Sequence, residues 1–429
     1  MPTVVPPQTA LARLLQELEL ELRKAEARGL RRRLRELDEV AGPTVRIDGS
    51  TLVCWGTNDY LGLAADPRLA AAAAEAAAGW GIGARASRLV TGTTRWHAAL
   101  ERALAEWFGT DAALVFPSGY QANLGALGAL LGPADAVVID RLAHASLIDA
   151  ARLTGARLRV FHHNDATHAR RVLARTPGRR RLLVTEGLFS MEGDPAPLRA
   201  LVEAAEAADA SLFIDDAHGA FVLGATGRGA PEAAGVAQDR VLYLGTLGKA
   251  LGCQGGFVAG PRPLIDALLN RARAFLYTTA LATPVAAAAA AAVRLIAHEP
   301  WRRQRLWDRC RELHAHLSGW GYGPAEPSPI LPVVVGDTGA ASALAEALAR
   351  EGHLVPAIRP PTVPRGTARL RISISAAHTA DHVRALAGAL QRALPRSFDS
   401  HHGLWPWARS GFRPTGGRRG TTGSVRGAP

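Results

Sequence analysis

Lysine is almost missing from this 429-residue chain. Of its 50 basic side chains, only Lys24 and Lys249 are lysines. A sequence that carries its positive charge on arginine keeps lysine where a guanidinium cannot substitute. Covalent attack on a carbonyl is one such place, because an amine can lose its proton and a guanidinium cannot. Lys24 lies in a charged helical stretch and reads as a solvated surface residue. Lys249 lies in VLYLGTLGKALGCQGGFVAG, Val241–Gly260, after a short apolar strand and among glycines that let a bulky ligand approach the backbone. Chemistry is expected there.

Other absences narrow the class. The three cysteines, Cys54, Cys253 and Cys310, have no metal-ligand spacing, which points to a reducing cytoplasm without a disulfide frame. No run of 18 apolar residues occurs, so no membrane span is expected. The N-terminus lacks a basic stretch followed by a leucine core, so no secretory signal is read. No G-x-G-x-x-G opens a helix after the first strand, which leaves a dinucleotide site unsupported. Net charge is +12, yet the body has no basic helix stripe and no aromatic–basic interleaving. Nucleic acid is therefore not an expected partner.

What is present suggests two or three domains. Leu11, Leu14, Leu15, Leu18 and Leu22 recur at helical spacing and predict an amphipathic helix over 9–38, broken near Gly29. Val45–Asp48 and Thr51–Trp55 flank Gly49 as a hairpin. Short apolar runs at 112–116, 136–139, 157–161, 181–185, 211–214 and 241–244, most separated by helical segments, predict a mainly parallel sheet wrapped by helices. Strands at 330–335 and 368–374 and helices at 339–350 and 379–393 predict a smaller α+β unit packed with the N-terminal segment. The expected division is 1–57, 58–283, 284–394 and a tail, 395–429. The tail holds six arginines and one aspartate and is expected to be disordered, with Leu404-Trp405-Pro406-Trp407 as its apolar exception.

In parallel sheets ligands gather at the carboxyl ends of strands, where the polar motifs fall here. Asp215-Asp216-Ala217-His218-Gly219 follows the run 211–214. It could be a metal site with too few ligands, a helix N-cap, or a carboxylate beneath a pyridine nitrogen. Thr185–Met191 offers Glu186 and Ser190. Ser118-Gly119-Tyr120 opens a helix, whose first N–H groups suit phosphate. His144, in Asp140–Ser146, is either structural or stacks on a planar ring. A lysine, an acid, a phosphate cradle and a stacking ring together are what pyridoxal phosphate requires.

Asn58-Asp59-Tyr60-Leu61-Gly62-Leu63, SGY, DRLAHASLIDA, TEGLFSMEGD, DDAHG, GTLGKALG and AIRPPTVPRGTARLRISISAAH stand in one order over residues 10–393. In that order they resemble the α-oxoamine synthases. The resemblance implies a fold-type I transferase, α/β, with a mainly parallel seven-stranded sheet and a smaller C-terminal domain. It implies pyridoxal 5'-phosphate, with Lys249 its covalent anchor and Asp215 on its ring nitrogen. His218 and Ser190 would contact the ring hydroxyl, and His144 would stack on the ring. Gly119 and Tyr120 would line the site and Glu186 would support its loop. Thr246 would bind the phosphate, with Thr278 or Thr279 reaching in from the second subunit of a homodimer. Arg371 would hold the amino-acid carboxylate, and Arg31, Asn58 and Thr362 would contact substrate. The implied reaction joins an amino acid to an acyl thioester with loss of CO2. The run Ala357–Pro364 favours the branch that uses L-alanine and a pimeloyl thioester over siblings that join glycine to acetyl-CoA or succinyl-CoA. Whether the thioester rides on CoA or on a carrier protein stays open.

Overall fold

The computed structural model describes residues 9–394; the tail at 395–429, including Trp405 and Trp407, lies outside the described residues. Within it a seven-stranded sheet runs in the order Ala112–Phe116, Gly256–Gly260, Val241–Thr246, Ser211–Asp215, Arg181–Glu186, Ala136–Asp140 and Arg157–Phe161. Only Gly256–Gly260 is antiparallel to its neighbours. All six predicted runs are therefore strands, and all six point the same way. Their carboxyl ends share one edge, which is why the motifs that follow them converge. The central strands are buried along most of their length, as continuous Val/Ile/Leu/Phe runs require of a sheet covered on both faces.

The N-terminal helix is shorter than the pattern predicts. It spans Ala10–Ala27, with Thr9 accepting from the Ala12 amide at 3.2 Å. Gly29 stops it. With φ of +65°, Gly29 lets the Leu30 amide reach the Ala25 carbonyl at 2.8 Å and its own amide reach Glu26 at 2.9 Å. This doubled C-terminal cap needs a left-handed residue, which glycine supplies. Residues 28–38 then run without helix. The leucine stripe is not buried by the chain: Leu11, Leu14, Leu15, Leu18 and Leu22 are all exposed.

The hairpin forms as Thr44–Ile47 and Ser50–Cys54. Two short strands join it, Glu39–Ala41 and His353–Leu354, the latter parallel to Ser50–Cys54. This ties the N-terminal segment to the C-terminal part. A separate antiparallel sheet holds Ile330–Gly336, Ala368–Ser373 and Ala357–Ile358. Arg371 sits on its middle strand. The two-residue strands carry too little sequence for a periodic signal.

One close approach positions the site. A side chain at Gly256 would bring Cβ within 2.6 Å of Gly119 Cα and 2.7 Å of the Ser118 carbonyl. Gly256→Ala is therefore expected to push the first turn of the helix Gly119–Leu130 off the sheet. Overpacking of this kind costs about 1–3 kcal/mol. Thermal melting against the parent checks it, and an unchanged melting temperature would show that the turn yields freely.

Candidate active site

Lys249 stands in the turn after Val241–Thr246. Its Nζ lies 2.7 Å from His218 Nε2, and His218 Nδ1 lies 2.6 Å from the Tyr60 hydroxyl. Tyr60 in turn donates to Asn58 Oδ1 at 3.4 Å. A single proton arrangement satisfies the chain: Lys249 donates to Nε2, Nδ1–H donates to the phenol oxygen, and the phenol donates to Asn58. His218 is buried. Burial, then the charges of Lys249 and Arg371, pushes its pKa well below the usual histidine value, so it stays neutral. Burial raises the Tyr60 phenol to about 12. Burial also lowers the Lys249 amine to about 8, against the opposing pull of Asp215 and Glu186. An amine at that value can both hold and release a proton near neutral pH.

Asn58 Oδ1 accepts from both Arg371 terminal nitrogens, at 3.2 and 3.3 Å, and Arg371 Nε donates to the Ser190 carbonyl at 2.6 Å. Arg371 is buried, and no ion pair to a carboxylate holds it among the described residues. Ser190 N donates to Glu186 Oε2 at 3.3 Å. Burial, then the charge of Asp215, holds the Glu186 carboxyl well above the usual range. Register places Glu186 beside Asp215 on the neighbouring strand.

Asp215 closes the second arm. It is buried at its strand's end and accepts from Asn123 Nδ2 at 2.6 Å and from the Ala217 amide at 3.0 Å. Asn123 also donates to Ser146 at 2.8 Å, and Ser146 meets His144 Nδ1 at 2.7 Å. His144 keeps an exposed edge; desolvation of the ring lowers its pKa, Asp215 opposes this, and the charge of Lys249 lowers it further. Gly119 opens its helix behind the Ser118 cap, and a Cβ there would stand 3.6 Å from Thr246. Thr246 donates to the Gly255 carbonyl at 2.7 Å and accepts from the Gly248 amide at 3.2 Å. Thr278 accepts from Gln121 Nε2 at 3.4 Å, beside that first helical turn in its own chain; Thr279 is exposed.

Three expected side chains stand apart. Tyr120 is exposed and its hydroxyl donates to Asp149. Arg31 is exposed and pairs with Glu26 at 2.5 Å. Thr362 accepts from Arg32, not Arg31, at 3.1 Å. No hydrogen bond among the described residues links Arg31 or Thr362 to the Lys249 network. Tyr60, Asn123 and Ser146 belong to the site although no motif singled them out. Asn123 had a signal: it is a polar residue in the otherwise apolar run of its helix. Asp216 is fully buried, accepts from Tyr243 and the Ala230 amide at 2.8 Å each, and is raised by burial to about 7.

The sequence profile of the family described as Aminotransferase class I and II matches residues 50–390. The chain belongs to this family. It is 50% identical over 377 residues to an 8-amino-7-oxononanoate synthase from Anaeromyxobacter dehalogenans, covering 87% of this chain and 94% of that one. Among solved structures it resembles a serine palmitoyltransferase from S. paucimobilis with bound PLP–myriocin aldimine. The TM-score is 0.84 at 33% identity, over 90% of this chain and 98% of that one. It also resembles the 8-amino-7-oxononanoate synthase of Francisella tularensis, with TM-score 0.69 at 26% identity over 80% and 97% of the two chains. The α/β fold with a mainly parallel sheet is the fold of these family members.

The residues fit pyridoxal phosphate, the group bound in that serine palmitoyltransferase. Among the described residues, Glu186 Oε1 and Asn123 Oδ1 are buried polar atoms without a hydrogen-bond partner, both on residues beside Asp215. The first turn at Gly119 is an open helix N-terminus over Thr246. Among the described residues no cluster of histidine, cysteine, aspartate or glutamate is suited to a metal ion, and no helix is long and apolar enough to cross a membrane.

Proposed function

We propose that the chain is an 8-amino-7-oxononanoate synthase of biotin biosynthesis. It uses pyridoxal 5'-phosphate to join L-alanine to a pimeloyl thioester, releasing CO2 and free thiol. The observation that carries an amino acid as substrate is Arg371: a buried guanidinium with no carboxylate partner among the described residues, joined through Asn58, Tyr60 and His218 to Lys249. The choice of L-alanine and pimeloyl thioester is supported by the half-identical relatives of that name.

Bound at this site, the cofactor supplies a protonated ring that delocalises negative charge from the amino acid's α-carbon. Lys249 would hold the cofactor and then take and return the α-proton. Neutral His218 keeps its Nε2 as the acceptor that orients the Lys249 amine. Asp215, held by Asn123 and the Ala217 amide, would keep the ring nitrogen protonated. His144 would cover one ring face. The Gly119 and Tyr120 amides, with Thr246, would take the phosphate.

A homodimer with the sites at its interface is part of the proposal. The segment 80–90 and the segment 273–280 are adjacent, with the Ala280 amide on the Ala86 carbonyl at 3.0 Å. They leave Ile82, Leu89, Val90 and Tyr277 exposed next to Thr278 and Thr279. A cytoplasmic location is proposed as well, supported by three free cysteines.

The test of the carboxylate role is Arg371→Ala. It is expected to raise KM for L-alanine far more than KM for the thioester. Losing a charge-assisted bidentate pair costs about 2–4 kcal/mol, or roughly 30- to 1000-fold. Steady-state kinetics with each substrate varied would read this. Equal changes in both constants would move Arg371 out of the binding role.

A further inference from the structure

Beside the site lies a second ionic cluster that the reaction outlined above does not use. His163 follows the strand Arg157–Phe161 and is buried. Its Nδ1 lies 3.1 Å from Asp140 Oδ1, at the end of the neighbouring strand, and its Nε2 lies 3.0 Å from Asp194 Oδ2. Each ring nitrogen faces a carboxylate. Asn164 Nδ2 also lies 3.3 Å from Nε2, but its two hydrogens are taken by Asp194 and the Pro195 carbonyl, at 2.9 and 3.3 Å, so with a carboxylate accepting at each ring nitrogen both carry protons and the ring is an imidazolium. The two ends differ. Asp140 is fixed in its own turn by the Leu142 and Asn164 amides, at 2.8 and 2.9 Å. Asp194 belongs to the loop Gly187–Pro195, which also carries Ser190.

That loop is held from two sides. On one side His163 grips Asp194, packs edge-on against Phe189 at 4.3 Å, and has Asn164 beside it donating to Asp194 at 2.9 Å. On the other side Arg369 donates to the Met191 carbonyl at 2.9 Å and pairs with Glu192 at 3.1 Å. Arg371, two residues along the same strand face, takes the Ser190 carbonyl. The Phe189 amide bonds the Asp194 carbonyl at 3.0 Å, so the two ends of the Ser190 turn move together.

We propose that His163 is a positioning residue. As an imidazolium bridging Asp140 and Asp194, it holds the loop Gly187–Pro195 so that the Ser190 carbonyl orients Arg371 toward the amino-acid carboxylate. This rests on the role given to Arg371 above. The cluster also sets a pH window. Burial lowers the ring, and the hydrogen bonds and charges of Asp140 and Asp194 outweigh it and raise His163 to about 9, while Glu192, paired with Arg369, is the other charged group near it. The clamp is therefore full below ~6.5, the ordinary histidine value. It weakens above that and is lost as pH rises through about 9.

The test compares His163→Asn and Asp194→Asn with the parent holoenzyme. Both variants are expected to raise KM for L-alanine about tenfold and leave KM for pimeloyl-CoA unchanged, because the defect lies in orienting Arg371. Hydrogen exchange of the 187–195 amides gives a readout independent of turnover. Protection in the parent should fall toward that of the variants as pH rises from ~6.5 to about 9. Should His163→Asn fail to fold, the near-isosteric Asp194→Asn decides alone. Equal changes in both Michaelis constants, or loop exchange identical to the parent at pH 7, would overturn the proposal. A parent that makes no product from these substrates would sink the activity reading, while the exchange comparison would still decide the clamp.

Discussion

Lys249→Ala is expected to lower turnover by roughly a thousandfold or more, and Lys249→Arg by a similar factor. The alanine variant removes the amine. The arginine variant keeps the charge but cannot bond covalently to an aldehyde or release a proton near neutral pH. The structure adds a reason specific to this chain. The amine is lowered to about 8 and aimed at the Nε2 of a neutral His218, so what the position supplies is a transferable proton rather than a fixed charge. The side chain is half-buried among small residues, and its loss is not expected to move the melting temperature by more than ~5 °C. Kinetics and melting of both variants check this together. Turnover within about tenfold of the parent, in either, would remove Lys249 from the chemistry.

Asp215→Asn is expected to keep the fold and lose most of the activity. An amide cannot hold a pyridine nitrogen protonated. A transition-state term of ~3–5 kcal/mol corresponds to roughly 10²–10³·⁵ in rate. The site makes the substitution harsher than an isosteric change suggests. Both Asp215 oxygens already accept, from Asn123 and from the Ala217 amide, so an NH2 group in either place faces a donor. That mismatch costs ~1–3 kcal/mol of stability. Denaturant unfolding beside steady-state kinetics separates the two effects. A rate loss under tenfold would leave Asp215 as a residue that only caps its turn.

The sheet and its motifs were legible because each layer agrees with the next. Short apolar runs gave the strands, parallel order put their ends on one edge, and polar residues after those ends made Lys249, Asp215, Glu186, His144 and Gly119 neighbours. What pattern could not carry is pairing across long separations. Tyr60 joins His218 over 158 positions, and Asn123 joins Asp215 over 92. Nothing local marks a tyrosine as the relay between a histidine and Asn58. Nor did periodicity show that Gly29 would end the first helix so completely. A break reads the same whether the helix resumes or not, and here the doubled cap was decisive. Arg31 illustrates the opposite failure. Its segment docks near Thr362, but the bond is made by Arg32, and one residue of slip along an irregular chain changes which guanidinium points there.

The most direct test of the account is product and gas analysis of the purified holoenzyme with amino acids and pimeloyl thioester. L-Alanine, glycine and L-serine would each be offered with the same acyl donor, following the carboxylate, the released thiol and CO2. One CO2 and one thiol are expected per 8-amino-7-oxononanoate formed, with L-alanine giving the highest kcat/KM of the three. Preference for glycine or L-serine, or condensation without release of CO2, would contradict it.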